Sequence, residues 1–225
     1  MNEIVTIPLF PLGVIILPDM VLPLHIFEER YKLMISECIA KDQPFGIVLY
    51  DGRHLRTVGC MARVTEVTKR YRDGRMDILT MGENRFVIQK VISEKPYFEA
   101  HVNFFEDVDN PRLEELQAVI DNIRKLLNEL HELDQTPHYF DMMTQTSPVE
   151  LSFAIAAMEG FTVTERQSFL EMTSTAERIE KGARALSRLI QRTRLTIEIK
   201  GIIGGNGRPP KELIERLVPK DPDLS

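Results

Sequence analysis

The chain has 225 residues, room for one large domain or two small ones, and is 43% hydrophobic and 28% charged, a balance that excludes a disordered chain. Its formal net charge of −6 is spread over both halves, which weighs against a nucleic-acid coat or a membrane-surface protein, since both need an excess of Lys and Arg. Cys38 and Cys60 form no CxxC pair or disulfide framework, and the longest uncharged run, residues 4–18, is broken by Pro8, Pro11 and Pro18, so the chain reads as a soluble cytoplasmic protein that does not engage a membrane.

The chain opens on apolar runs cut by proline: Pro8-Leu9-Phe10-Pro11-Leu12, Val14 to Pro18, and Val21 to Phe27. Proline cannot donate to a strand ladder, so these segments predict short, kinked or edge strands wrapping a small barrel. From Glu28 to Ile39 the apolar positions Tyr31, Met34, Ile35, Cys38 and Ile39 follow helical spacing. Phe45 to Tyr50 is a β-rich run ended by the turn pair Asp51-Gly52. Val58 to Thr68 and Met76 to Thr80 flank the segment Lys69 to Arg75, whose Asp73-Gly74 is a hairpin signal because glycine accepts positive φ without steric cost. Arg85 to Ile92 and the alternating run Phe98 to Phe104 predict two more strands.

Near Asn110 the periodicity changes. Leu113, Leu116, Ile120, Ile123, Leu127 and Leu130 recur every three or four residues, with Asn110 suited to the N-cap and Pro111 to the first turn. Ser147-Pro148-Val149-Glu150, Thr164 to Gln167 and Ser174 to Glu177 each read as a capping box that opens a helix. The last of these helices runs to about Lys200 and carries the i,i+4 pairs Glu177–Lys181 and Glu180–Arg184. Residues 1–110 therefore predict a β-barrel subdomain, residues 111–200 a bundle of about four helices, and residues 201–225, rich in Gly and Pro, a flexible tail.

The search for catalytic chemistry returns negatives. No lysine is preceded by Gly or followed by Ser or Thr, so no P-loop exists. HExxH and GxSxG are absent. His131, Asp134, His138 and Asp141 match no zinc spacing and are interrupted by Pro137, so they read as a polar helix connection, and no metal or other cofactor is implied. Cys38 falls on the apolar face of its helix and Cys60 in a strand, which makes both core residues rather than nucleophiles. No catalytic set is assigned.

Two segments can bind. The proline-rich strands at the N-terminus can leave an apolar groove beside an unpaired edge, a seat for an extended peptide centred on Leu24, His25 and Phe27. Lys69, Arg70, Tyr71 and Arg72 could grip a phosphate backbone while the ring stacks on a base, although Asp73 and Asp77 interleave and favour a solvated hairpin tip. Arg184, Arg188 and Arg192 form an exposed helix stripe.

The ordered set Pro8-Leu9-Phe10-Pro11-Leu12, Leu22-Pro23-Leu24-His25-Ile26-Phe27-Glu28-Glu29-Arg30-Tyr31, Phe45-Gly46-Ile47-Val48-Leu49, Val58-Gly59-Cys60, Asp73-Gly74-Arg75, Gly82, Arg85-Phe86, Pro96-Tyr97 and Ser147-Pro148-Val149-Glu150-Leu151 resembles the N-terminal domain family of Lon proteases. The chain departs from the family's pattern at Asp19, where Gly often follows the proline, and at Cys60, where Thr is common. The resemblance implies an α+β fold: a PUA-like β pseudo-barrel followed by a C-terminal helical bundle. It also implies a non-catalytic module, without the ATPase and Ser–Lys peptidase parts of a complete Lon protease, that binds unfolded segments or a partner protein. By position, Glu28, Glu29 and Arg30 correspond to a charged segment linked with substrate handling, which adds them to Leu24, His25 and Phe27. Binding of RNA or a small ligand through the barrel is the alternative.

Overall fold

The computed structural model describes residues 4–109, 111–134, 147–158 and 160–204. The strands are β1 (Val5–Leu12), β2 (Val21–Ile26), β3 (Phe45–Tyr50), β4 (Leu55–Arg70), β5 (Met76–Ile92) and β6 (Phe98–Phe104). The helices are α1 (Glu29–Ala40), α2 (Gln117–Asp134), α3 (Pro148–Ala157), α4 (Val163–Glu171) and α5 (Thr175–Gly204), with a 3-10 turn over Leu113–Leu116 ahead of α2. The sheet runs β2-β5-β4-β3-β1-β6, and β6 returns to pair with β5. Strands β5, β4, β3, β1 and β6 thus close a ring, and β2 lies outside it as an edge. This is the expected α+β fold, a β pseudo-barrel followed by helices.

Closure depends on the 17-residue β5. Residues Met76 to Met81 pair with β2 and the end of β4, whereas Phe86 to Ile92 pair with β6. The sequence predicts two strands here, Met76 to Thr80 and Arg85 to Ile92; the structure makes one, bent by register shifts against β4. Gly82 is a crossing point, not a break. Its N–H donates to the Met20 carbonyl at 2.9 Å. A Cβ at Gly82 would stand 2.0 Å from the Leu17 carbonyl oxygen, so only glycine lets the preceding loop pass.

The prolines of β1 are accommodated by stagger. Val5 to Leu9 pair with β6 and Leu9 to Leu12 with β3, so Pro8 and Pro11 each lie where only one neighbouring strand pairs. Val14 to Pro18 is loop rather than strand, and Ile15, Ile16 and Leu17 are buried.

The barrel interior holds Ile7, Leu9, Val48, Met61, Phe86, Ala100 and Val102. The Phe86 ring fills the space above two glycines: a Cβ at Gly46 or Gly59 would approach it to 2.8 or 2.5 Å. Outside the barrel, Tyr31, Met34, Ile35 and Cys38 of α1 join Ile15 to Leu17 and the inward faces of α2 to α5 in one apolar cluster.

Helix starts follow local chemistry with two corrections. Ser147 opens α3 with the full capping box on Glu150 and with Pro148 in the first turn. Helix α4 begins earlier than expected: Thr162, not Thr164, is the N-cap, its Oγ1 accepting from the Glu165 N–H at 3.1 Å. Gly160, at φ +91°, reverses the chain just before, which leaves Thr162 three residues ahead of Glu165. At α5, Ser174 Oγ accepts from the Glu177 N–H at 3.2 Å, but the carboxylate of the cap is Asp109, which accepts from the N–H groups of Thr175 at 2.6 Å and Ala176 at 3.2 Å. Lys181 donates to Ser168 at 2.7 Å rather than pairing with Glu177, while the Glu180–Arg184 pair forms at 3.5 Å. The expected N-cap Asn110 lies outside the described residues, and Pro111 precedes the 3-10 turn. Helix α5 continues through Gly204; the rest of the expected tail lies outside the described residues.

The helices are fastened to the barrel by Asp107. Its carboxylate accepts from Arg85 of β5 at 2.5 Å and from Arg178 and Thr175 of α5. Arg85 also donates to the Leu170 and Met172 carbonyls at 3.2 and 2.5 Å, and Arg178 donates to Ser152 of α3 at 2.7 Å. The Phe153 ring lies 4.0 Å below the Arg178 guanidinium.

Gly59→Ala is expected to lower stability by about 1–3 kcal/mol through overpacking against Phe86 and the Ile47 carbonyl, read by urea denaturation. Asp107→Asn strips two buried guanidinium groups of their counter-charge and should cost about 3–5 kcal/mol. Burial pushes the Asp107 carboxyl up, but the hydrogen bonds from Arg178 and Thr175 and the nearby positive charges outweigh it and hold the pKa below 3.8. A depressed folded-state pKa gives stability that is full above the unfolded carboxylate value and is lost as pH falls through the folded one. Unfolding midpoints measured downward from about pH 5 should therefore drop less in the Asn variant than in the parent.

Candidate functional site

Strand β2 pairs with β5 from Val21↔Met81 to Ile26↔Met76 and has no strand on its other side among the described residues. Because Gly82 bonds to Met20, the alternation of an antiparallel ladder turns the backbones of Leu22, Leu24 and Ile26 toward β5 and those of Val21, Pro23 and His25 toward the open edge. Pro23 thus faces outward with the N–H it lacks, which explains its place in a paired strand. Leu22, Leu24 and Ile26 point their side chains inward, Val21, Pro23 and His25 outward. Just past the strand, Phe27 is 60% exposed, the price of leaving an aromatic ring in water with no core contact to hold it.

Beyond the barrel, β4 and β5 continue as a hairpin whose far end is the segment Tyr71 to Arg75, with Gly74 at φ +83° as the Asp-Gly signal requires. Register aligns Lys69 with Asp77 and Asp77 with His25 on one face. Asp77 organises that face. Its carboxylate accepts from His25 Nδ1 at 2.5 Å and from the Tyr71 hydroxyl at 2.8 Å, and these two bonds hold its carboxyl below the ordinary carboxylate value. The His25 ring stacks on Phe27 at 6.0 Å and meets Tyr71 edge-on at 5.8 Å. Lys69 and Arg75 lie 4.6 and 4.9 Å from the centre of the Tyr71 ring.

The structure therefore joins the two sequence candidates: His25 and Phe27 share a continuous surface with Lys69 and Tyr71, while Arg72 is exposed at the hairpin tip. Glu29 is tied in through Lys32, which donates to Glu29 at 2.7 Å and to the Asp73 carbonyl at 2.9 Å. Leu24 does not reach this face, being half-buried on the other side of β2. Arg70 shares the inner row with Met76 and Ile26, and its guanidinium donates to the Met76 sulfur at 3.3 Å. Arg30 pairs with Glu28 at 2.8 Å, stacks over Tyr31 at 4.5 Å, and lines an apolar recess of about 380 Å³ with Pro11, Tyr50, Val91 and Phe98. Sequence reasoning passed over Asp77, Arg75 and Lys32 as organisers. Asp77 counted as a charge that weakens the tip, and only its pairing register shows that it is consumed by His25 and Tyr71.

A larger cleft of about 580 Å³ lies between barrel and helices, lined by Asp19, Glu83, Arg85, Glu106 and Asp107. Its charged floor, Arg85 and Asp107, is already paired within the network that fastens the helices. Both cysteines are buried, and burial pushes the Cys38 thiol up to about 11 and the Cys60 thiol up to about 12, so neither is a thiolate at neutral pH. Among the described residues no cluster of His, Cys, Asp and Glu could hold a metal ion, and His138 and Asp141 lie outside them. No described helix is long and apolar enough to cross a membrane.

A closed barrel with helices fastened to one side and one strand left open defines a recognisable fold. It is shared by the Lon N-terminal domain protein from Xanthomonas campestris, at a TM-score of 0.62 and 21% identity over 79% of this chain and 96% of that one. The N-terminal domain of a Mycobacterium avium complex Lon protease matches at a TM-score of 0.67 and 18% identity, over 81% of this chain and 98% of that one. The chain belongs to the ATP-dependent protease La (LON) substrate-binding domain family, whose model matches residues 6–188. Similar curated proteins are "Lon protease 2" from Myxococcus xanthus and "Lon protease" from Anaeromyxobacter dehalogenans, each 26% identical over 88% of this chain. The chain spans 25% of the length of either relative.

If the edge of β2 is open as the ladder requires, the Val21 and His25 amides will exchange with deuterium faster than those of Leu22, Leu24 and Ile26. Residue-resolved hydrogen exchange measures this directly, and equal protection along the strand would contradict the open edge.

Proposed function

We propose that this chain is a non-catalytic module that recognises extended polypeptide segments, and that it receives them along the open edge of β2. The observation that carries the reading is a strand edge unpaired among the described residues that runs into an exposed aromatic side chain, Phe27. Main-chain groups of Val21, Pro23 and His25 would supply sequence-independent hydrogen bonds, as in strand addition, while Phe27 supplies an apolar anchor. Membership of a substrate-binding domain family supports a polypeptide as the ligand. The absence of a P-loop or nucleophile motif from the sequence supports binding without turnover. In this reading residues 1–110 form the recognition subdomain and residues 111–200 brace it, in a cytoplasmic setting that suits two free buried thiols.

The test is binding of a fluorescently labelled, carboxymethylated and hence permanently unfolded protein, followed by anisotropy. Phe27→Ala should weaken it about tenfold, as loss of an aromatic anchor does, with circular dichroism and melting temperature unchanged because the ring has no core contacts to lose. Equal binding by parent and variant, or none by the parent, would refute the assignment.

A further inference from the structure

A second concave site lies at one end of the closed barrel and shares no residue with β2: the apolar recess of about 380 Å³ beside Arg30. All five strands of the ring reach it. Strand β1 contributes Leu9 and Pro11, β3 Tyr50, β4 Leu55, β5 Val91 and β6 Phe98. Most of these sit on or next to the closing rungs of their ladders: Tyr50↔Leu55 for β3 with β4, Leu9↔Phe98 for β1 with β6, and Val91↔Ala100 for β5 with β6. Leu9 and Leu55 also belong to the cluster that fills the barrel, so the floor of the recess is the barrel's own core. The start of α1 forms the remaining wall with Arg30 and Tyr31. Barrel mouths are a preferred place for small-molecule sites, and the volume falls within their range of roughly 300–1,000 Å³.

Three side chains at the rim, Tyr50, Val91 and Phe98, are large, apolar and exposed. Scattered singly such residues mean little, but three converging on one recess over a barrel core make a continuous apolar surface. The Tyr50 hydroxyl donates to the Gly52 carbonyl at 3.0 Å, which holds that ring at the rim. The polar chemistry is one guanidinium, also held in place. Arg30 gives Nε and Nη2 to the Glu28 carboxylate at 2.9 and 2.8 Å and lies 4.5 Å over the Tyr31 ring. Its Nη1 carries no hydrogen bond among the described residues and remains a donor. The Glu28–Arg30 pair has no net charge: an anion here would meet Glu28 and a cation would meet Arg30, whereas a neutral acceptor needs only Nη1. The geometry points to a binding site for a small, uncharged, largely apolar molecule, its body against Leu9, Tyr50, Val91 and Phe98 and one hydrogen-bond acceptor on Arg30 Nη1. A polypeptide fits the recess less well. Each strand around it is paired on both sides, so an extended segment finds no open ladder edge there. The inference is independent of the strand-addition reading.

Four probes separate the possibilities: naphthalene carrying, at the same ring position, a carboxamide, a methyl, a carboxylate or an aminomethyl group. Each is titrated into the full chain with isotope-labelled Leu and Val methyl groups and followed by NMR. The carboxamide should bind most tightly, about fivefold ahead of the methyl compound, the size of one hydrogen bond to a partly exposed donor. It should shift the Leu9, Leu55 and Val91 methyl signals before any others. Arg30→Met should cut that advantage to less than about twofold while the methyl compound binds as before. Val91→Glu, at an exposed position, should weaken the carboxamide and the methyl compound alike, with the fold of both variants checked by melting temperature. Absence of shifts at Leu9, Leu55 and Val91 with millimolar carboxamide would overturn the site. Carboxylate or aminomethyl compound binding as tightly as the carboxamide would overturn the uncharged ligand. Displacement of the carboxamide by the carboxymethylated unfolded protein, in parent and Phe27→Ala alike, would assign the recess to polypeptide instead. The four compounds on the parent decide the inference even if neither variant folds.

Discussion

Asp107 is the constraint on which the architecture rests. One carboxylate, almost out of contact with water, receives a guanidinium from the barrel and another from the longest helix. Each guanidinium spends further donors on polar groups of the helices: Arg85 on the carbonyls at the end of α4, Arg178 on the Ser152 hydroxyl of α3. Buried ion pairs are weak evidence for net stability, because desolvation offsets much of the attraction. Their geometry is nonetheless demanding. A charge at this depth is tolerated only where all its partners arrive together, so the network admits one placement of α3, α4 and α5 against β5. Asp109, two residues on, caps α5 and repeats the constraint.

Closing the barrel has a consequence at its rim. Strand β5 is long enough to serve β6 with one half and β2 with the other, and once β6 has closed the ring β2 has no second strand neighbour among the described residues. Edge strands are a hazard that proteins blunt, and this one shows the usual devices: it is only six residues long and carries Pro23 outward. The same edge stays available at Val21 and His25, and it ends at Phe27, an aromatic side chain that is 60% exposed. A fold that needed only to be stable would gain by burying Phe27 or replacing it with a polar residue.

The chain matches these relatives at low identity, over most of its own length and a quarter of theirs. On the candidate face Asp73, Glu28 and Glu29 are ion-paired with Arg75, Arg30 and Lys32, whereas Asp77 takes its hydrogen bonds from His25 and the Tyr71 hydroxyl.

Much of this was legible in the residues themselves. The helical spacing in α1, the Ser147–Glu150 box, the strand Phe98–Phe104 and the Asp73-Gly74 turn are decided by neighbours within a few positions, so local pattern suffices for them. The candidate residues His25, Phe27, Lys69, Tyr71 and Arg72 were also legible, as two unrelated segments. The union of the first four was not, because it depends on Asp77 lying between Lys69 and His25 in a register that no local signal encodes. For the same reason sequence split β5 between Thr80 and Arg85, around a Gly82 whose decisive neighbour is the carbonyl of Leu17, and credited Glu177 with a cap that Asp109 supplies from far along the chain. Short-range sterics and hydrogen bonds wrote the elements into the sequence. Strand register and the pairing of buried charge, both long-range, decided in the folded protein which side chains share a surface.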